Sequence, residues 1–175
     1  MCNDPIEMAR RAAQGDLEAY GDLVNQYQVA IFNVAYRMLG VVAEAEDVSQ
    51  DTFIRAYRSL NTYDLERPIL PWLKKIAVNL CLDRLKHPLE LPLEDELLSG
   101  SSGPEIQVMQ RDQDQQVRRS LLALPPHYRA VIELRHFQEM SYEEIALALR
   151  RPLASIKTEL FRARKMLAER LKDMQ

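Results

Sequence analysis

Apolar side chains recur at three- and four-residue steps along most of the chain. Leu17, Tyr20, Leu23, Val24, Tyr27, Ile31, Val34 and Met38 form one such series. It predicts a long amphipathic helix, stopped by Gly40, with Tyr20, Tyr27 and Tyr36 on its core side. A second helix is predicted over about residues 43–60, with Ala45, Val48, Thr52, Ala56 and Leu60 inward. A third begins near Pro71 and runs through WLKKIAVNLCLDRLK. Proline suits a helix start because its missing N–H would have no partner there anyway. Further helices are expected at about 107–123, 126–137, 141–149 and 153–172. Almost no stretch alternates with period two, so strands are not predicted and the fold class is all-α.

One segment interrupts this pattern. HPLELPLEDELLSGSSGPE (87–105) holds three prolines, two glycines, three serines and five acids, so a helix there is hard to sustain. It predicts two small helical domains, 1–87 and 113–175, joined by a flexible acidic linker at 88–112. Charge follows the same division. The formal net charge is −3, but residues 1–87 carry −2, residues 88–112 carry −5 and residues 113–175 carry +4. The overall acidity hides a basic C-terminal third, where a nucleic-acid footprint belongs.

Within that third, Ser141 and Glu144 match the S-x-x-E capping box, and Ile145, Ala148 and Leu149 give a short apolar face. Arg150, Arg151 and Pro152 break the helix, and Pro152 can open the next. On the last helix Ile156, Leu160, Ala163 and Leu167 share one side within about 40°. Ser155, Thr158, Arg162 and Lys165 fall opposite, flanked by Lys157 and Arg164. A short helix, a tight turn and a longer basic helix is the arrangement that sets a recognition helix in the major groove. Arg and Lys there contact phosphates and base edges, and Ser and Thr hydroxyls hydrogen-bond to either. Glu159 lies about 60° from the core side. It has two readings, an acceptor for a cytosine amino group and an intrahelical partner of Arg162; we favour the second.

The helix at 43–60 has an unusual outer face: Asp47, Gln50, Asp51, Ile54 and Arg58 line one side. An apolar residue rimmed by acids and amides resembles an interface anchor, although a lone exposed Ile is ordinary. Tyr57, Tyr63, Trp72, Lys74 and Lys75 place aromatic faces beside positive charge within a short span, which single-stranded DNA binding needs. Trp72 has a second reading as a core anchor. Asp83 shares a helix side with Ile76 and Leu80, so an arginine partner, Arg37 or Arg55, is expected. The cysteines, Cys2 and Cys81, suggest no disulfide framework and fit a reducing cytosol. No apolar run approaches the roughly 20 residues of a membrane span, and MCNDPIEMARR lacks the apolar stretch of a secretory signal. His87, His127 and His136 form no ligand set, so no metal or other cofactor is expected. No nucleophile–base set or phosphate loop points to an enzyme. We expect a cytoplasmic protein.

Three of these segments together resemble a family. AEAEDVSQDTFIRAYRSL (43–60) resembles the polymerase-binding helix of bacterial sigma factors, and PWLKKIAVNLCLDRLK (71–86) their helix that reads the melted minus-ten element. LPPHYRAVIELRHFQEMSYEEIALAL with SIKTELFRARKML (124–167) resembles their C-terminal helix-turn-helix. Order and spacing match the extracytoplasmic-function branch, and the resemblance covers most of residues 10–172. It implies a non-catalytic subunit that joins core RNA polymerase and selects promoters. Asp47, Gln50, Asp51, Phe53 and Ile54 would dock on the coiled coil of the largest polymerase subunit, and the C-terminal domain on the flap of the second-largest. Tyr63, Trp72, Lys74, Lys75, Asn79 and Arg84 would meet the minus-ten element, with a flipped base held by the loop 61–68. Ser155, Lys157, Thr158, Arg162 and Lys165 would face the minus-thirty-five element. An anti-sigma factor is the further partner implied.

This sequence departs from the family in three places. Lys86 is followed by HPLELP instead of more arginines, so the first domain should hold DNA weakly. Arg150 stands near a common glycine, and Glu159 where the family often has Arg. A flexible stretch the length of 88–112 has a typical span of about 25–30 Å, short of two promoter elements more than one DNA turn (about 34 Å) apart. The linker would therefore be partly extended when both domains bind. The alternative is an independent helix-turn-helix repressor or activator that dimerises through the first block, but such a regulator would not need the 43–60 and 71–86 motifs.

Overall fold

The computed structural model of the chain describes residues 4–86 and 112–172. The elements among the described residues are helical: α1 (Pro5–Ala13), α2 (Leu17–Leu39), α3 (Val42–Ser59), α4 (Ile69–Lys86), α5 (Asp112–Leu122), α6 (Pro126–Ile132), α7 (Tyr142–Leu149) and α8 (Leu153–Lys172). Two irregular turns complete them, a 3₁₀ turn at Leu60–Thr62 and a π-helical stretch at Glu133–Phe137 that continues α6. The expected helices appear close to their predicted places. α4 begins two residues early, which sets Pro71 third in the helix, still within the turn whose N–H groups lack partners. The part of the 107–123 helix before Asp112, and most of the linker, lie outside the described residues. α1 is an addition. Asp4 caps it by accepting from the Ile6 N–H at 3.0 Å, Pro5 opens it, and Met8, Ala9 and Ala12 are buried.

α2 is the axis of the N-terminal bundle, packed by α1, α3 and α4. Its buried side chains Leu23, Ile31, Val34, Ala35 and Met38 follow the predicted stripe. Leu17 is an exception: expected inward, it is 70% exposed at the first position of the helix, past the edge of the bundle. In the C-terminal half α8 packs on α6, α7 and α5 through Ile156, Leu160 and Ala163.

The halves touch at the C-terminal end of α2. Arg37 donates both Nε and Nη2 to the buried Glu133 carboxylate, at 2.8 and 2.7 Å, and stacks over the Phe137 ring at 4.4 Å. Arg129 donates to the carbonyls of Leu121, Leu122 and Leu124 in its own half and to that of Met38 in α2. Arg118 donates to the Tyr36 hydroxyl and lies over its ring. Asn79 Nδ2, on α4, donates to the Ala148 carbonyl at 3.2 Å.

Gly40 is required where α2 ends. Its φ of 81° is in the left-handed region, its N–H donates to the Tyr36 carbonyl, and a Cβ there would stand 2.8 Å from Leu122 Cδ1. We expect Gly40→Ala to destabilise the chain by about 1–2 kcal/mol and lower Tm by about 2–8 °C in calorimetry.

Candidate polymerase and nucleic-acid interfaces

α3 buries Ala45, Val48, Ser49, Thr52, Phe53 and Ala56, and this turns Asp47, Gln50, Asp51 and Ile54 to solvent. Four of the five residues expected at the polymerase surface thus share an exposed face. Phe53 does not: at 7% exposure it packs beneath that face. Beside Ile54 lies an open hollow of about 410 Å³ lined by Leu17, Tyr20, Phe53, Ile54, Tyr57 and Arg58. The Tyr20 and Tyr57 rings meet at 4.8 Å, and the Tyr20 hydroxyl donates to the Phe53 carbonyl. Burial pushes the Tyr20 phenol up to about 12, so it remains a donor at neutral pH. Leu17 repeats with the core stripe, and only the end of the bundle puts it at the surface. Tyr57, expected beside Tyr63 and Trp72 as an aromatic face for single-stranded DNA, is exposed but packs on Tyr20 in this hollow.

At the start of α4, Tyr63 and Trp72 stack at 4.4 Å with 19° between their planes, and the Tyr63 hydroxyl donates to the Pro68 carbonyl at 2.9 Å. The pair closes the 61–68 loop onto α4. Both rings are half-buried, so Trp72 keeps features of an anchor and of a stacking face. Lys74, Lys75, Asn79 and Arg84 follow on α4 and are all half-buried. Burial holds the Lys74 ammonium below its usual range, with Glu133 opposing that effect and Arg37 adding to it. The Asn79 amide is engaged by the carbonyls of Lys75 and Ala148. Arg84 reaches Asp47 at 3.5 Å, joining two residues expected to serve different partners. Asp83 corrects an expectation. It is exposed and pairs with Lys86 at 3.4 Å, while Arg37 is taken by Glu133. Asp83 lies far enough around α4 to keep its hydration, so no arginine is needed.

The outward face of α8 is as expected. Lys157, Thr158, Arg162 and Lys165 are exposed and Ser155 is half-buried. An open hollow of about 340 Å³ lies along it, lined by Ala154, Ser155, Thr158, Glu159 and Arg162. The helix-turn-helix that carries it is built as the sequence implies. Ser141 accepts from the Glu144 N–H at 3.1 Å, and the Glu144 carboxylate accepts from the Ser141 N–H at 2.7 Å. Arg150 ends α7 at φ 53° and ψ 49°, the left-handed conformation that glycine adopts without strain. Arg164 is fixed at the flank by donating to His136 Nε2 at 3.2 Å; burial, then Arg164 and Arg135, keep that imidazole below its usual pKa and able to accept.

Glu159 is the second correction. It is buried, at 8% exposure, and pairs with Arg151, which donates Nη1 to Oε2 at 2.8 Å and Nη2 to Oε1. Arg162 makes no ion pair among the described residues. The left-handed turn at Arg150 swings Arg151 over the first turns of α8, eight residues from Glu159 and out of reach of any helical-spacing rule. Phe161 was also overlooked: it is 70% exposed on α8 among the basic residues. Among the described residues no three His, Cys, Asp or Glu side chains are placed to hold a metal ion, and no helix is long and apolar enough to cross a membrane.

Comparison with known proteins agrees with this arrangement. Residues 23–87 match Sigma-70 region 2 and residues 114–167 match Sigma-70, region 4. The chain is 34% identical to the ECF RNA polymerase sigma factor SigW of Bacillus subtilis (strain 168), over 94% of this chain and 95% of that one. It is 35% identical to the RNA polymerase sigma factor NccH of Alcaligenes xylosoxydans xylosoxydans, over 96% and 95%. Among solved structures, that of CnrH in complex with the cytosolic domain of CnrY covers 98% of this chain and 100% of its own, with TM-score 0.71 and 26% identity. The sigma factor RpoE of Bartonella quintana, in complex with the anti-sigma factor NepR, covers 85% of this chain and 94% of its own, with TM-score 0.65 and 25% identity.

The Arg151–Glu159 pair has a direct consequence. Arg151→Ala strands a buried carboxylate and is expected to destabilise the chain by about 1–3 kcal/mol in urea unfolding. Arg162→Ala, at an exposed position, should change stability by less than about 0.5 kcal/mol. Equal effects would restore the intrahelical pairing.

Proposed function

The chain belongs to the extracytoplasmic-function branch of the sigma-70 family, and on that premise we propose how its surfaces divide the work of promoter selection. It acts in the cytoplasm as a non-catalytic subunit of RNA polymerase. The exposed acid and amide face of α3, with the hollow around Ile54, docks on the coiled coil of the largest subunit, and the C-terminal half meets the flap of the second-largest. Tyr63, Trp72, Lys74, Lys75, Asn79 and Arg84 serve the melted minus-ten strand. Ser155, Lys157, Thr158, Arg162 and Lys165 serve the minus-thirty-five duplex. The observation that carries this reading is the orientation of α8, whose basic face points to solvent although the two halves are in contact.

The contact between the halves bears on when DNA is read. Asn79 is tied to Ala148, and Lys74 lies beside Glu133 and Arg37, so part of the minus-ten surface is covered. The Asn79 amide is freed for a minus-ten strand only when the halves part. We therefore place the covered state before polymerase binding and an extended state, with residues 88–112 as tether, after it. An ion pair such as Arg37–Glu133 suits a reversible contact, because rehydration of the ions offsets most of its loss. An anti-sigma partner would act on these same surfaces; the structurally similar sigma factor RpoE of Bartonella quintana is itself in complex with an anti-sigma factor, NepR.

Run-off transcription with purified core polymerase tests the assignment. We expect initiation on a subset of promoters from the source genome and only weak binding of the free protein to duplex DNA. Tight duplex binding without polymerase, and no initiation, would instead establish an independent regulator. Arg162→Ala should reduce promoter use about 5- to 150-fold, the worth of one base contact, with co-purification of polymerase unchanged. Gln50→Ala with Asp51→Ala should weaken co-purification and leave duplex preference intact.

A further inference from the structure

Phe161 is the largest side chain on the outward face of α8, and that face's cationic surroundings do not account for it. With Ile156 as the inward reference and about 100° per residue, Ala154, Thr158, Phe161 and Lys165 fall within about 40° of the opposite meridian. The ring therefore stands within the surface assigned to duplex DNA, between Lys157 and Lys165 around the helix. Its four neighbours on the helix, three and four residues away on either side, are Lys157, Thr158, Arg164 and Lys165. All four are exposed. The core of a protein–protein interface is depleted in lysine. Phe161 is ringed by three cations and a hydroxyl, surroundings that suit a polyanion.

Within the major groove the apolar group available to such a ring is the 5-methyl of thymine, and Phe is among the side chains that contact it. The polar edges have a different place. On the far side of Thr158 lies the hollow lined by Ala154, Ser155, Thr158, Glu159 and Arg162. There Glu159 is neutralised by Arg151, which leaves Arg162 and the two hydroxyls as the groups that bond to bases. We propose that Phe161 reads the 5-methyl group of a thymine in the upstream duplex, on the side of Thr158 away from Arg162. The proposal deepens the assignment of α8 given above and rests on it.

The test uses the full chain assembled with core polymerase and duplex promoters randomised across the upstream element. Sequencing the transcribed templates should show a thymine enriched at one position. Replacing that thymine by deoxyuridine removes the methyl group alone, and should lower initiation by the wild type about three- to fourfold, the effect of withdrawing one buried methyl-sized group. Phe161→Ala should lose the enrichment at that position and respond equally to thymine and deoxyuridine, whereas Phe161→Leu, still apolar, should keep the enrichment. The exposed ring can be truncated without loss of packing, and circular dichroism melting verifies that each variant is folded. The proposal is overturned if no thymine is enriched, if deoxyuridine is tolerated at each enriched thymine, or if Phe161→Ala selects the wild-type sequence. Arg162→Ala, run in parallel, separates two kinds of failure. An unchanged selection by Arg162→Ala would remove α8 from duplex reading altogether; a changed one would remove Phe161 alone.

Discussion

The last carbonyls of a helix have no partner within it, and at the end of α2 the Met38 carbonyl is bonded by a guanidinium from the other half of the chain. Arg129 also bonds the carbonyls of Leu121, Leu122 and Leu124, so one buried cation closes the turn before α6 and fastens that turn to α2. Burial lowers its pKa, but arginine stays charged. Four carbonyl dipoles supply what water would have given. One turn away, Arg37 reaches back to Glu133, whose burial is made tolerable by that bidentate bond and by the Gln138 amide at 2.8 Å. The π-helical stretch at Glu133–Phe137 carries both partners of Arg37: the Glu133 carboxylate at the edge of the guanidinium and the Phe137 ring against its face.

Contacts of this kind fix a position more than they add stability. Burying ions returns little net free energy, because hydration is lost as the pair forms. Most helix packing lies inside each half, around Leu23, Ile31 and Val34 in one and Val131, Leu134 and Ile156 in the other, and the buried apolar side chains join in one cluster across the contact. Opening the contact therefore exposes some apolar surface, at Leu122 against Gly40 for example, together with the ions of the polar seam. For a protein proposed to hold DNA only after joining a larger enzyme, such a seam is physically apt. It covers Asn79 in the closed state and leaves the α8 face outside in either state.

Much of this was legible in the sequence because helical periodicity reports burial directly. The stripe from Tyr20 to Met38, the capping box at Ser141 and the two sides of α8 could each be read from spacing alone. Periodicity fails where a helix ends or where partners come from elsewhere. Leu17 repeats with the core stripe yet projects past the bundle. Asp83 shares a helix side with Ile76 and Leu80 yet keeps its water. Glu159 was assigned the nearest arginine along its helix, while the turn at Arg150 delivered Arg151 from outside it. The Arg37–Glu133 pair joins residues 96 apart, so no local pattern contains it. α1 had a readable start in Asp4–Pro5, but it is only 9 residues long and shows little more than one repeat of its apolar face. Phe161 was passed over for another reason: an aromatic among basic residues looks like scatter until its exposure is known.

The distance between the two halves tests the central claim most directly. Donor and acceptor dyes at Glu46→Cys on α3 and Glu169→Cys on α8, both exposed, report it by single-molecule energy transfer, with Cys2→Ser in the background. Cys81 need not be changed, since burial pushes its thiol up to about 12 and leaves it unreactive. In the free protein we expect one population at high transfer, which shifts to low transfer when core polymerase and promoter DNA are added and the halves separate to span more than about 34 Å. A transfer efficiency that stays high in complexes that go on to make transcript would contradict the account.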